Sequence, residues 1–219
     1  MDYLYAILIG YLCGSIPTAY WLGKFVYRLN IFEHGSRNMG ATNIFRVLGK
    51  KPGIFTLLFD IVKGVVPVLI VKQLFADNPP VAFAAAAAAL AGHTLSFWVK
   101  FKGGKGVATG LGVFLALATK ASLCSLLLFL ATLAISGMVS LGSILGSAAL
   151  PFFILYFAES GPIYTPYLTG FSAFVAAFII FKHKANIQRI LRGEEPRLGA
   201  SKPSAPEKAS ARTDTEKTQ

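Results

Sequence analysis

Carboxylates and cysteine are both scarce in this sequence. Ten of the 219 residues are Asp or Glu, and no cluster of them could hold a metal ion. Cys13 and Cys124 stand alone inside apolar runs, so neither a disulfide framework nor a metal-binding thiolate pair is available. There is no His-Glu-x-x-His pair and no Gly-x-Ser-x-Gly elbow. Metal-assisted phosphoryl chemistry is therefore disfavoured, and neither a metal nor a cofactor is expected. Charged side chains of any kind run short. With 14% charged against 54% apolar residues, the chain cannot cover a soluble globule, which implies an all-α integral membrane protein.

What charge there is carries one sign, since Lys and Arg outnumber Asp and Glu by 21 to 10 for a net +11. In a soluble protein this would point to nucleic acid. Here the excess flanks apolar segments, so no nucleic acid is expected, and anionic membrane lipids and a phosphorylated substrate are the expected partners. Apolar runs predict about seven transmembrane helices, near 3–23, 54–75, 81–99, 106–119, 121–138, 140–158 and 165–181. Only Lys120 separates the fourth from the fifth, and Gly110, Gly112, Gly137 and Gly142 interrupt the pattern. A single re-entrant hairpin over 106–138 is the alternative. No basic residue precedes Lys24, so the first helix is expected to stay rather than be cleaved.

Segment 24–53 holds six Lys or Arg, 100–105 holds three and 182–219 holds nine, which places eighteen of the 21 on one face if seven spans alternate. Basic residues accumulate on the cytoplasmic side, so the N-terminus is expected outside and the C-terminus in the cytoplasm. From about Ala200 the composition turns to Ser, Pro, Ala, Lys, Thr and Glu, which cannot bury enough surface to order itself. Residues 1–199 are read as the transmembrane domain and 200–219 as a disordered cytoplasmic tail.

Three clusters on the basic face combine small residues with hydrogen-bonding groups. In the first, Gly35 and Gly40 permit positive φ and close approach, Ser36, Asn38, Thr42 and Asn43 offer neutral donors, and Arg37 and Arg46 offer charged forks, a set suited to phosphate. Ala41-Thr42 stands where a nucleotide phosphate loop requires Lys-Ser/Thr, so that motif is rejected. The competing reading is a polar connector with helix caps. In the second, Gly103, Gly104, Lys105 and Gly106 precede an apolar helix, where unpaired N–H groups and a full positive charge favour an anion. His93 lies about two turns into the membrane from this loop. In the third, helical spacing puts His183, Asn186 and Ile190 on one face with Arg189 and Arg192 close by, either as part of a site or as an amphipathic helix on anionic lipid. Within the second span Asp60 and Lys63 sit at i and i+3, where mutual neutralisation competes with participation of Lys63 in the site.

Taken together, Gly35 through Asn43 with Arg46, Asp60-Ile61-Val62-Lys63-Gly64, Gly92-His93 with Gly103 through Thr109, and His183 through Glu194 closely resemble the PlsY family of bacterial acyl-phosphate-dependent glycerol-3-phosphate acyltransferases. The resemblance runs in order through residues 10–195. It implies a seven-span enzyme of the bacterial inner membrane that moves a fatty acyl group from acyl phosphate to the 1-hydroxyl of glycerol 3-phosphate at its cytoplasmic face. An upstream enzyme that forms acyl phosphate is then a possible partner. By position, Ser36 and Arg46 match a required polar pair, Gly103, Gly104, Lys105 and Gly106 a phosphate-binding loop, His183 and Asn186 activity residues, and Glu194 a structural carboxylate. Arg37 and Met39 fall at variable positions of the motif. None of His34, His93 and His183 is followed five positions later by Asp, so the His-x4-Asp dyad of the soluble and peripheral acyltransferases is missing. An anion transporter or a lipid-binding structural protein are the readings from other classes; the first would spread polar groups through the membrane midplane.

Overall fold

Long apolar segments can satisfy their backbone in lipid only as helices or closed barrels. The computed structural model describes residues 1–198, and its regular elements are all helical. The tail expected at 200–219 lies outside the described residues.

Helix α1 (Asp2–Ser15) breaks at Ile16-Pro17 and resumes as α2 (Thr18–Trp21), which widens into a π turn over Leu22–Val26. A short α3 (Ala41–Val47) follows the first basic loop. Then come α4 (Lys50–Leu74), α5 (Val81–Thr94) with a tighter turn at Phe97–Val99, α6 (Val107–Leu117), α7 (Thr119–Ser136), α8 (Val139–Phe157), α9 (Gly161–Lys182) and the short, amphipathic α10 (Lys184–Leu191). Six stretches are long and apolar enough to cross a membrane: Asp2–Val26, Lys50–Leu74, Val81–Val99 and the three helices α7 to α9.

The fourth expected span is the exception. Helix α6 has eleven residues and rises only about 16 Å. The cause is a loop that folds back on itself. Gly103 N–H donates to the Thr94 carbonyl and Gly104 N–H to that of His93, so α6 starts level with the last turn of α5. A single hairpin over 106–138 is not formed, because α6 packs along α4 while α7 packs along α8.

Close crossings explain several glycines. A Cβ on Gly10 or Gly14 of α1 would collide with the carbonyls of Ala85 and Ala89 on α5, and Gly64 of α4 and Gly112 of α6 would each strike the other helix's backbone. Contact between backbones replaces the hydrophobic drive that lipid does not provide. The core between these helices holds Ala85, Ala86, Ala89, Val68, Val113 and Phe114.

Connections sort to two ends. At one, Lys72 Nζ donates to Ala116 O, the N–H groups of Lys120 and Ala121 donate to the Glu159 carboxylate, and Asn78 donates to Asp2. At the other lie the loops of 24–49, 95–106, 137–138 and 183–198. There Trp21 meets Trp98 edge to face, and Trp98 and Phe101 are exposed, as expected of aromatic side chains at a membrane interface.

Candidate active site

The break at Pro17 frees carbonyls that lipid cannot solvate. Lys63 Nζ donates to Ile16 O at 2.9 Å and pairs with Asp60 Oδ1 at 2.6 Å, Thr18 Oγ1 donates to the same carboxylate, and Ser96 Oγ donates to Ser15 O. Asp60 and Lys63 are almost wholly buried. Of the two readings of this pair, phosphate binding by Lys63 and mutual neutralisation, the geometry favours the second: the ammonium is committed to a broken helix and a buried partner.

The first loop is organised around Asn43. This buried side chain takes the Ser36 N–H on its Oδ1 at 2.7 Å and donates through Nδ2 to the carbonyls of His34 (3.1 Å) and Asn38 (3.0 Å). Its polar atoms are therefore spent on the loop, not offered to a substrate as the sequence predicts. Asn38 is engaged only through its oxygen, where Oδ1 accepts from Gly40 N–H at 2.9 Å, and its Nδ2 has no partner among the described residues. Gly35 has φ +59°, and a Cβ there would collide with Asn43 Oδ1, which explains the glycine twice over. Gly40 differs from expectation: it has φ −82° and caps the start of α3. Ser36 is exposed, Thr42 is half-buried, and neither hydroxyl makes a hydrogen bond among the described residues. Arg37 also points to an exposed position, with φ 55°. Arg46, on the last turn of α3, is half-buried.

The second and third clusters join directly. Lys105 Nζ donates to Asn186 Oδ1, Asn186 Nδ2 donates to Glu195 Oε1 at 2.7 Å, and Arg189 Nε donates to Glu195 Oε2 at 2.8 Å. Ser140 Oγ, from the first turn of α8, completes the carboxylate at 2.7 Å, while Leu198 N–H on Gly137 O pins the following segment to the α7–α8 turn. The structural carboxylate is thus Glu195. Glu194, expected in that role, is exposed, with only its backbone N–H engaged by Arg189 O. Neither Ser140 nor the choice between adjacent glutamates has a signature in the sequence.

Electrostatics tie Arg46 to the same place. Burial draws its guanidinium below the usual value, with the Glu195 charge opposing and the Arg189 charge adding to the shift. Burial likewise brings the Lys105 ammonium down to about 8, against the pull of Glu195 and with the repulsion of Arg189, Arg46 and Lys182. Burial would raise the Glu195 carboxyl, but hydrogen bonds from Asn186, Ser140 and Arg189 and the Arg189 charge hold it below its ordinary range. His183 is brought down to about 4, chiefly by burial and then by the Lys105 charge. Its Nδ1 lies 2.7 Å from Ile179 O. A carbonyl only accepts, so Nδ1 carries the proton and Nε2 presents its lone pair.

The Gly103–Gly106 loop departs from the expected anion cradle. Two of its amides, Gly103 and Gly104, bond to α5, and only Gly106 takes the left-handed backbone, at φ +85°. The N–H groups of Lys105 to Ala108 have no acceptor among the described residues. Among those residues no group of three His, Cys, Asp or Glu could hold a metal ion. A cleft of about 440 Å³, lined by Tyr20, Lys24, Arg28, Leu29 and Asn30, opens beside the first loop at the basic end.

The sequence profile described as glycerol-3-phosphate acyltransferase matches residues 4–193. A glycerol-3-phosphate acyltransferase of Thermosynechococcus vestitus is 45% identical over 203 residues, covering 89% of this chain and 94% of the relative. One of Desulforamulus reducens is 43% identical over 198 residues, covering 90% and 96%. The fold is similar to a crystal structure of PlsY, an integral membrane glycerol 3-phosphate acyltransferase, in its glycerol 3-phosphate form (TM-score 0.81, 35% identity, 91% of this chain and 96% of that one). The lysophosphatidic acid form gives a TM-score of 0.79 at 34% identity over the same shares.

Proposed function

The chain belongs to the glycerol-3-phosphate acyltransferase family, and we propose that it transfers a fatty acyl group from acyl phosphate to the 1-hydroxyl of glycerol 3-phosphate, giving lysophosphatidate and inorganic phosphate. The observation that carries this reading is a charge imbalance. The charges of Arg46, Arg189 and Lys182 bear on Lys105 around one carboxylate, Glu195. Such a partly buried excess suits a phosphate dianion.

An acyl phosphate is a mixed anhydride already activated for attack, so the protein has to position the reactants and stabilise charge more than it has to do covalent chemistry. The acceptor hydroxyl attacks the acyl carbon, the bond from that carbon to the phosphate oxygen breaks, and the phosphate leaves into the cationic site. Lys105 and Arg46 hold the phosphates. Ser36 adds a neutral donor, as does Thr42, and Asn186 fixes the Lys105 ammonium. The open Nε2 of His183 accepts a hydrogen bond from the attacking hydroxyl and orients it. At about 4, His183 is a weaker base than a phosphate monoester, whose second pKa is about 6. The proton therefore ends on phosphate.

Purified protein supplied with labelled glycerol 3-phosphate should form lysophosphatidate with acyl phosphate and not with an acyl thioester of the same chain. Activity with the thioester alone would refute the donor assignment.

The membrane arrangement belongs to the same proposal: seven crossings, with α6 the short one, the N-terminus outside, and the site facing the cytoplasm of a bacterial inner membrane, where an acyl-phosphate-forming enzyme would deliver the donor. Fourteen basic residues at the site end among the described residues support it. In a background lacking Cys13 and Cys124, a cysteine at position 78 should react with an impermeant thiol reagent in intact cells and one at position 208 only after permeabilisation. The opposite pattern would invert the site.

A further inference from the structure

Gly104 is a glycine for a reason its own backbone does not supply. Within its loop only Gly106 has a positive φ, so alanine is conformationally admissible at 104. Its N–H donates to the His93 carbonyl at 3.1 Å, so that amide is not offered to an anion. What excludes a side chain is the His93 ring: a Cβ on Gly104 would collide with Nε2 and lie 2.9 Å from Cε1. The neighbouring Gly103 is held by the same residue, because a Cβ there would strike the His93 carbonyl.

The ring itself is held by packing. His93 is 2% exposed, its Nδ1 makes no hydrogen bond, and the Asp60 carboxylate stands 4.0 Å away, outside hydrogen-bond reach. A buried polar ring with an unsatisfied nitrogen costs stability. The Nε2 edge of the ring and the carbonyl nevertheless meet the glycine loop together, against the two residues before Lys105.

We infer that His93 is a positioning residue for the reaction: its ring is the platform on which Gly104 rests, and ring and carbonyl together set where the Lys105 ammonium meets Asn186 and a bound phosphate. This rests on the reading of Lys105 as the phosphate ligand. It assigns Gly104 to close packing on His93, in place of the open anion path that a glycine-rich loop suggests.

The test is a double-mutant cycle read by equilibrium binding of labelled glycerol 3-phosphate, which does not depend on the acyl donor, alongside thermal stability in detergent. Gly104→Ala alone should lose about tenfold in affinity, as expected where the charged hydrogen bond from Lys105 is displaced. His93→Ala removes the ring that blocks the new methyl group. In that background Gly104→Ala should cost less than about threefold, a coupling of contacting residues rather than two independent losses. His93→Ser provides the same space if the alanine variant does not fold. Equal losses from Gly104→Ala in both backgrounds would overturn the inference, and so would His93 variants that lower the melting temperature while leaving the affinity unchanged. Failure of the wild-type protein to bind glycerol 3-phosphate at all would instead overturn the proposed function, which separates the two claims.

Discussion

Two lysines in this molecule sit beside carboxylates, and they do opposite things. Lys63 touches its carboxylate directly, at 2.6 Å from Asp60 Oδ1, and gives another proton to the Ile16 carbonyl freed by Pro17. That cluster is closed: each charge is answered by its neighbour inside the helix bundle. Lys105 reaches Glu195 only through the amide of Asn186, and the carboxylate is already shared among Asn186, Ser140 and Arg189. The relay orients the ammonium without neutralising it. A single intervening side chain thus separates a closed ion pair from the proposed anion site.

The same substitution made at each lysine should have opposite effects. Lys105→Met should leave a folded protein that loses about 10²- to 10³-fold in kcat/KM, the range for removing a preorganised charge from a transition state. Lys63→Met leaves Asp60 buried and unpaired, which should cost about 3–5 kcal/mol of stability, with near-normal turnover per folded molecule. Detergent melting curves and kinetics on size-selected protein distinguish the two. The reverse pattern would mean that the lysines have been misassigned.

A smaller effect sharpens the contrast. Burial and neighbouring cations place Lys105 near 8, below the ordinary lysine value, so its charge is full below that pH and lost as pH rises through it. The kcat/KM profile should therefore fall on an alkaline limb near pH 8. Lys105→Arg, which keeps its charge beyond pH 12, should move that limb upward while lowering the plateau, because a planar fork does not replace a point charge.

Ser36 comes next. The residue is exposed and its hydroxyl makes no hydrogen bond among the described residues, so in the proposed function it donates to phosphate without attacking. Ser36→Ala should cost about tenfold, the worth of one neutral hydrogen bond, and labelled acyl phosphate alone should leave no covalent label on the protein. An acyl ester on Ser36 that glycerol 3-phosphate discharges would require the opposite mechanism. The smallest effect is at Glu194. Glu194→Gln should change neither stability nor rate measurably, whereas Glu195→Gln gives up the charge that Arg189 meets and should cost about 1.5–3 kcal/mol in melting experiments.

How legible these roles are from the sequence follows the same division. Apolar runs and basic loops reveal the helices and the loops that gather at one end, because those features depend on composition alone. The Gly-rich and Asn-rich clusters mark the site, since few structural needs call for Arg46, Lys105, His183 and Asn186 beside so many small residues. The roles inside the clusters are hidden. Asn43 reads as a donor to a ligand, but loop carbonyls claim it first. Lys63 reads as a cation near the site because nothing local says that Ile16 O will need a donor. The shortness of α6 depends on which carbonyls Gly103 and Gly104 reach, and Glu195 differs from Glu194 only by which way the chain faces after Gly193.

Lys105, and not the Asp60–Lys63 pair, is the proposed receiver of the substrate phosphate. Equilibrium binding of labelled glycerol 3-phosphate to three folded proteins tests it: the wild type, Lys105→Met, and the paired change Asp60→Val with Lys63→Met, which removes both buried charges together and so leaves neither unpaired. The prediction is that Lys105→Met loses at least about tenfold in affinity, as expected for a charged hydrogen bond, while the paired variant binds as the wild type does. Undiminished binding by Lys105→Met, or loss of binding by the paired variant, would contradict it.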